Sequence, residues 1–153
     1  MKAIPTGLAM LGMATLGLAT LGLATPAAAE NWHAFSSSAN SAYMADVDAI
    51  TVEGDITRIT LAIVALRGES GDFSHTVDTY EFRCGSKEWR SPLSIEYGPD
   101  GAEVGRYPDE TDWLNARNGT VPEFLRGIAC DGVRTVPPHW PTIRAFVESR
   151  PAS

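Results

Sequence analysis

The sequence predicts an α+β fold: an antiparallel meander sheet with a C-terminal helix packed on one face and tethered by a disulfide. Three observations lead to this prediction. Apolar and polar residues alternate along several runs between residues 56 and 97, which is the period of β-strands. Short glycine-containing turns join these runs, and a later stretch at residues 120–132 has helical spacing. One of the two cysteines falls on each kind of element.

Two runs show the strand pattern clearly. In ITRITLAIVAL, the residues on one face are Ile59, Leu61 and Ile63. The opposite face of this run is also apolar towards its end, as expected of a central strand that is covered on both sides. In HTVDTYEFRC, Tyr80, Phe82 and Cys84 share a face, so the Cys84 thiol is predicted to point inward.

The third run, KEWRSPLSIEY, is predicted to be a strand that lies at an edge or is bent, because Pro92 cannot donate a ladder hydrogen bond. The apolar residues predicted to share one of its faces are Trp89, Leu93, Ile95 and Tyr97. Turns are predicted at residues 53–55 (EGD), 84–87 (CGSK) and 98–101 (GPDG). Such short connections predict antiparallel neighbours, because parallel strands need long crossovers. The polar stretch PDETDWLNARNG that follows is predicted to be a connection with one helical turn.

The stretch TVPEFLRGIACDG predicts a helix. Thr120 and Glu123 have the spacing of a capping box, Pro122 lies in the first turn, and Gly132 is placed to end the helix. Its predicted apolar stripe consists of Val121, Phe124, Leu125 and Ile128. A helix of about three turns is too short to be stable alone, so it must dock on the sheet.

Residues 1–29 have the layout of a secretory signal peptide. Lys2 precedes an uncharged run rich in Leu, Ala and Gly, which ends in three alanines at 27–29. A membrane anchor is the alternative, since the run approaches the length that spans a bilayer, but Gly and Thr dilute it. No cysteine lies near the cleavage point for lipid attachment. We therefore predict an exported chain with no membrane span after cleavage. It is predicted to have a single sheet-plus-helix domain at residues 30–135 and a Pro-rich C-terminal tail at 136–153, with a short amphipathic turn at 141–148.

Charge and cysteine content narrow the function classes. The formal net charge of −7 becomes −8 once Lys2 is removed, and no basic stripe is present. An acidic domain of this kind argues against nucleic acid and against anionic membrane surfaces as partners. Two cysteines without a CxxC motif in an exported chain predict a Cys84–Cys130 disulfide rather than catalytic or metal-bound thiols.

No catalytic or metal motif stands above background, so we predict no catalytic residue, no metal site and no cofactor. The histidines lack the spacing of a zinc site and are predicted to lie at the surface or at strand ends: His33, His75 and His139. Asp46 and Asp48 alternate along one strand and suggest paired carboxylates, but acceptors of backbone hydrogen bonds are the favoured interpretation. Three carboxylates in one loop are candidates for holding a hard cation: Asp109, Glu110 and Asp112. The loop lacks the glycine and terminal glutamate of a calcium-binding loop, so a solvated loop is the favoured interpretation.

Several of these features, taken in order, resemble the surface-adhesin protein E family of bacterial envelope proteins. The features run from a strand end at residues 43–46 through the turn at 54–55 and the aromatic strand to the second cysteine: Tyr43, Asp46, Cys84, Arg90, Tyr97, Trp113 and Cys130. The resemblance covers roughly Trp32 to Cys130 and implies a curved sheet whose concave face holds the helix. The chain departs from the family at Thr60-Leu61, where members often have a tryptophan, and in the missing lipid-attachment cysteine.

The resemblance implies an exported, non-enzymatic, surface-adhesin-like binding protein in the periplasm or at the cell surface of a bacterium. Its partner is expected to be a protein of unknown identity, bound through a sheet face, an edge or a loop, and an exposed edge would also permit a homodimer. One alternative is a periplasmic accessory or inhibitor protein of unknown target. A small hydrolase with an unrecognised site is the other, and a deep pocket holding a perturbed carboxylate or histidine would favour it.

Overall fold

The computed structural model describes residues 29–150, so the predicted signal peptide lies outside the described residues except for Ala29. Within this range the chain forms one seven-stranded sheet and two helices. The strands are β1 (Trp32–Ser37), β2 (Ser41–Glu53), β3 (Ile56–Ala65), β4 (His75–Arg83), β5 (Glu88–Tyr97), β6 (Glu103–Pro108) and β7 (Leu114–Asn115). The helices are α1 (Val121–Asp131) and α2 (Ile143–Glu148). No helix in residues 29–150 has the length and apolar character needed to cross a membrane.

The sheet is the antiparallel meander that the turns predict. Strands β1 to β6 pair in sequence order, each antiparallel to the next. The turn between β2 and β3 contains Gly54 with a φ of 63°, and the turn before β6 contains Gly101 with a φ of 80°. Both values lie in the left-handed region that glycine adopts without steric cost. The helical turn predicted after residue 107 is wrong, because the chain there forms β7, which pairs with the start of β5.

Helix α1 packs on one face of the sheet, which we call the α1 face. Its buried side chains, Leu125 and Ile128, join a core cluster with Ile59, Leu61 and Phe82. Phe124 is 49% exposed, so the buried stripe is narrower than predicted. Cys84 and Cys130 form a disulfide across 46 positions of sequence, with Cα atoms 5.7 Å apart. The predicted fold class, with its tethered helix, is therefore confirmed.

The ends of α1 follow the sequence signals in part. Gly132 ends the helix with a φ of 71°, and Pro122 occupies the first turn, as predicted. Thr120 is the N-cap residue, but the predicted capping box is wrong. The Thr120 hydroxyl donates a hydrogen bond of 2.6 Å to the carbonyl of Arg117 instead of accepting one from the first turn.

Helix α2 packs on the opposite face, which we call the α2 face. Its buried side chains are Ile143, Phe146 and Val147, and they contact a second core cluster that includes Met44 and Val64. Ahead of α2, Trp140 exchanges two backbone hydrogen bonds with Trp32, at 2.8 and 3.1 Å. The segment that the sequence sets apart as a Pro-rich tail thus supplies core residues and pairs with the outer edge of β1.

A bulge in β5 changes which side chains share a face. Trp89 pairs with Phe82, whereas Leu93 pairs with Thr79, with one extra residue on β5 between these pairs. Phe82 and Thr79 point to opposite faces of β4, so Trp89 and Leu93 do as well. The prediction that Trp89 shares a face with Leu93 is therefore wrong. The extra residue lies next to Pro92, which cannot take part in a regular ladder.

Candidate functional site

A groove of about 580 Å³ runs across the α2 face, between the sheet, the chain leading into β1 and the start of α2. Residues on its floor come from four adjacent strands: Asp46, Thr60, His75, Val77 and Tyr97. Its walls include Glu30, Trp32, Phe73, Ile143 and Arg144. The volume lies within the range of ligand sites, which usually combine apolar walls with a few placed polar groups. We call this site the α2-face groove.

The aromatic rings of the groove are fixed by their neighbours. His75 and Tyr97 are cross-strand partners whose rings stack with centroids 4.5 Å apart and planes 1° from parallel. The guanidinium of Arg144 lies 3.6 Å from the centre of the Phe73 ring. The indole Nε1 of Trp32 donates a hydrogen bond of 2.8 Å to Glu30. Rings held in this way present preformed surfaces, so a ligand would pay little to order them.

Asp46 is the most deeply buried charged group of the groove, with 6% of its surface exposed. Its Oδ1 accepts backbone hydrogen bonds from Asn31 at 2.9 Å and from Asp48 at 3.1 Å. Among residues 29–150, no donor forms a hydrogen bond with the other oxygen, Oδ2. The backbone therefore orients this carboxylate and leaves one oxygen free to accept.

His75 contributes a second acceptor. Its Nδ1 lies 2.7 Å from the carbonyl oxygen of Phe73, and a carbonyl can only accept, so Nδ1 carries the proton. Burial lowers the pKa of His75 below its usual value, although the Phe73 carbonyl and the charge of Glu30 act in the opposite direction. The ring is therefore neutral at pH 7, with Nε2 as an acceptor.

A charged cluster occupies another part of the α2 face. Glu81 is buried and accepts hydrogen bonds from Arg58 at 2.6 Å and from Arg90 at 2.7 Å. Burial acts to raise the pKa of Glu81, but the hydrogen bonds and charges of the two arginines outweigh it and hold the pKa below its usual value. Arg83 and Arg90 also lie over the Trp113 ring, 4.1 and 4.7 Å from its centre. Both oxygens of Glu81 are paired, whereas Nε of Arg83 has no hydrogen-bond partner within residues 29–150, and the cluster is a structural network of the sheet.

His75 and His33 both lie at the start of a strand, β4 and β1, as predicted, but His33 does not lie at the surface. The His33 ring is buried on the α1 face and stacks on His139, with centroids 3.5 Å apart. Its Nδ1 lies 3.3 Å from the Thr135 hydroxyl, and Nε2 has no hydrogen-bond partner within residues 29–150. The two rings join β1 to the segment between the helices, a contact that sequence spacing does not reveal.

Stability should decrease below about pH 6.5, the usual pKa of histidine. Burial, together with the charges of His139 and Arg134, lowers the pKa of His33, although Asp46 and Asp48 oppose this. The unfolded chain therefore binds a proton at a higher pH than the native one, which favours unfolding as the pH falls. Urea unfolding at pH 7.5 and 5.5 measures the loss, which should be smaller in His33→Phe than in the wild type. An equal loss in both proteins would contradict the prediction.

The remaining acidic candidates lie at different places in the structure and do not form one site. Asp46 accepts backbone hydrogen bonds, as predicted. Asp48 is exposed and lies in the irregular part of β2 between Asp46 and Thr51. The loop carboxylates are all exposed: Asp109, Glu110 and Asp112. Within residues 29–150, no group of three or more His, Cys, Asp or Glu side chains is arranged to hold a metal ion.

Comparison with known proteins identifies the family. The model of the family described as Surface-adhesin protein E matches residues 32–131, most of the described chain. The chain belongs to the surface-adhesin protein E family. No curated protein and no solved structure matches it.

The surface-adhesin protein E match covers the whole sheet, helix α1 and both cysteines. The resemblance seen in the sequence is thereby confirmed, and membership agrees with the export that residues 1–29 predict. The floor of the α2-face groove lies inside the match, whereas Glu30, Ile143 and Arg144 lie outside it. This member of the surface-adhesin protein E family therefore completes its groove with residues beyond the matched segment.

Proposed function

We propose that this protein is an exported, non-enzymatic, adhesin-like protein that binds a protein partner in the α2-face groove. The observation that carries the proposal is the groove itself, with fixed aromatic walls and oriented acceptors, in a chain of a surface-adhesin family. Aromatic and arginine side chains dominate the binding energy of protein interfaces. The groove offers three aromatic rings of this kind beside Arg144: Trp32, Phe73 and Tyr97.

The arrangement supports binding more than hydrolysis. A hydrolase needs a nucleophile within hydrogen-bonding distance of a base. Thr60 and Thr142 supply hydroxyls to the groove, yet neither forms a hydrogen bond with His75 in the part of the chain that the structure describes. The Thr142 hydroxyl instead accepts from the backbone of Ala145 and caps α2.

Location separates the adhesin from the alternative of a periplasmic accessory or inhibitor protein. The predicted signal peptide provides for export in either case. Protease added to intact cells should degrade a surface-displayed protein, whereas a periplasmic one would survive until the outer membrane is opened. Survival on intact cells would favour the periplasmic alternative without affecting the assignment of the groove as the binding site.

Filling the groove should abolish partner binding. Thr60→Trp places an indole on the groove floor at a strand position, where aromatic residues are well tolerated. We expect affinity for a panel of purified extracellular-matrix proteins to fall at least tenfold, measured by surface plasmon resonance with the mature domain. The matched control is Thr51→Trp, at an exposed threonine of β2 that is outside the groove lining. Unchanged binding by a folded Thr60→Trp protein would rule out the groove.

The outer edge of β6 supports a second mode of association. Val104 and Tyr107 on this strand are 66% and 52% exposed, and no strand within residues 29–150 pairs with its outer side. Open edges of this kind accept a strand from another chain. We propose homodimerisation through β6 as the second candidate, and sedimentation velocity of the mature domain distinguishes the monomer from the dimer.

A further inference from the structure

We infer that the α2-face groove receives a basic side chain, lysine or arginine, whose charged end binds Oδ2 of Asp46. This inference rests on the proposed function, because it names the chemistry by which the partner would occupy that groove. It follows from the charge of the lining, the free oxygen of Asp46 and the aromatic walls.

The lining has more free acceptors than free cations. Glu30 and Asp46 are carboxylates, and Nε2 of neutral His75 is a further acceptor. Among the lining residues that the structure describes, Arg144 is the one Lys or Arg side chain, and its guanidinium already has partners. It lies on the Phe73 ring, donates a hydrogen bond of 3.1 Å to the carbonyl of Asp100 and lies 4.0 Å from Glu148. A ligand entering the groove therefore meets unsatisfied negative charge.

Asp46 fixes where that charge is strongest. An ionised carboxylate accepts up to about four hydrogen bonds. The two backbone donors of Asp46 both reach Oδ1, and the residue lines the groove with 6% of its surface exposed, so Oδ2 is accessible to a ligand. An ammonium or guanidinium group would supply donors and opposite charge to Oδ2, and such charge-assisted hydrogen bonds are roughly twice as strong as neutral ones. A neutral or anionic ligand gains nothing comparable there.

The apolar walls suit the rest of a basic side chain. Lysine and arginine bury their methylene stems against apolar surfaces while their charged ends reach polar groups. Trp32, Val77 and Ile143 provide such a surface beside Asp46. The rings also attract cations through their faces, as the Arg144 guanidinium on Phe73 already shows. The groove thus matches both parts of a basic side chain, the stem and the charged end.

Short peptides with matched neutral analogues test the inference. The probes are the blocked tripeptides acetyl-Gly-Arg-Gly-amide and acetyl-Gly-Lys-Gly-amide, compared with versions that contain citrulline or acetyl-lysine, which keep the shape and lose the charge. We expect saturable NMR shifts at the indole of Trp32 and the ring of His75. The basic peptides should bind at least tenfold more tightly than the neutral ones, and added salt should weaken their binding.

Asp46→Asn should weaken the basic peptides at least tenfold, because Asn keeps an acceptor for the two backbone donors and loses the charge. Glu30→Gln, at an exposed position, should weaken them less and guards against a folding defect in the first variant. Asp109→Asn, at an exposed loop residue outside the groove lining, is the matched control and should change nothing. Equal affinity for arginine and citrulline peptides, or full affinity in both groove variants, would overturn the inference.

The two proposals fail in distinguishable ways. If Thr60→Trp loses the protein partner while Asp46→Asn and Glu30→Gln keep it, the groove is the binding site but a basic side chain is not its ligand. If Thr60→Trp keeps the partner, the proposed function fails, and peptide binding in the groove then has no bearing on adhesion.

Discussion

Removing the Cys84–Cys130 disulfide is expected to lower the free energy of unfolding by about 4 kcal/mol. The bond closes a loop across 46 positions of sequence, and opening the loop restores conformational freedom to the unfolded chain. A loss of this size is a large part of the 5–15 kcal/mol by which domains are usually stable. The variant Cys84→Ala/Cys130→Ala should therefore unfold at a much lower urea concentration than the oxidised wild type.

Without the disulfide, helix α1 should lose more local stability than the rest of the domain. The helix has 11 residues, too few to be stable in water without tertiary contacts, and only Leu125 and Ile128 are buried. The disulfide at its C-terminal end holds these two side chains against the sheet. Hydrogen exchange should show the amides of α1 losing protection before those of β3 and β4, which lie in the middle of the sheet.

Reductant provides the control for the disulfide. The wild type in a thiol-free reductant should fall to the stability of the double-alanine variant, and the variant should not respond to the reductant. If the wild type keeps its unfolding midpoint when both thiols are shown to be free by mass mapping, the bond contributes little and the tethered-helix account is wrong.

The parts of the fold that the sequence predicts well are the local ones. The alternation through Ile59 and Leu61 and the turn at Gly54 depend on neighbours along the chain, and both are confirmed. The disulfide is also predictable, because an exported chain with two cysteines has one possible intramolecular pair. Local periodicity fails where a bulge intervenes, as in β5, where one extra residue beside Pro92 reverses the face of Trp89.

The groove could not be predicted in the same way, because its residues meet only through the tertiary fold. His75 and Tyr97 are 22 positions apart in the numbering, and their stacking depends on the register of β4 and β5. The wall formed by Ile143 and Arg144 depends on the docking of α2, whereas the Pro-rich composition before α2 predicts a tail. The sequence predicts that Asp46 accepts backbone hydrogen bonds, which is confirmed, but the accessibility of its second oxygen depends on how the groove is assembled.

The docking of α2 gives the second large expected effect. Phe146→Ala should lower the free energy of unfolding by roughly 3–5 kcal/mol, the usual cost of removing a buried phenylalanine. Phe146 is buried in the core of the α2 face and meets the Trp140 ring edge-on, with centroids 5.0 Å apart. The backbone of Trp140 in turn forms two hydrogen bonds with the backbone of Trp32 in β1. Urea unfolding of the mature domain measures the change.

Phe124→Ala is the matched control, since it makes the same substitution at a phenylalanine that is 49% exposed on α1. Its effect should be within about 0.5 kcal/mol, as for most surface substitutions. Phe146→Ala should also weaken basic-peptide binding while leaving Asp46 unchanged, because Ile143 and Arg144 lie on the same helix of six residues. Similar small effects for both alanine variants would mean that residues 136–150 form an appendage rather than a wall of the site. If Phe146→Ala alone lowers both the free energy of unfolding and the affinity for basic peptides, this segment is part of both the core and the binding groove.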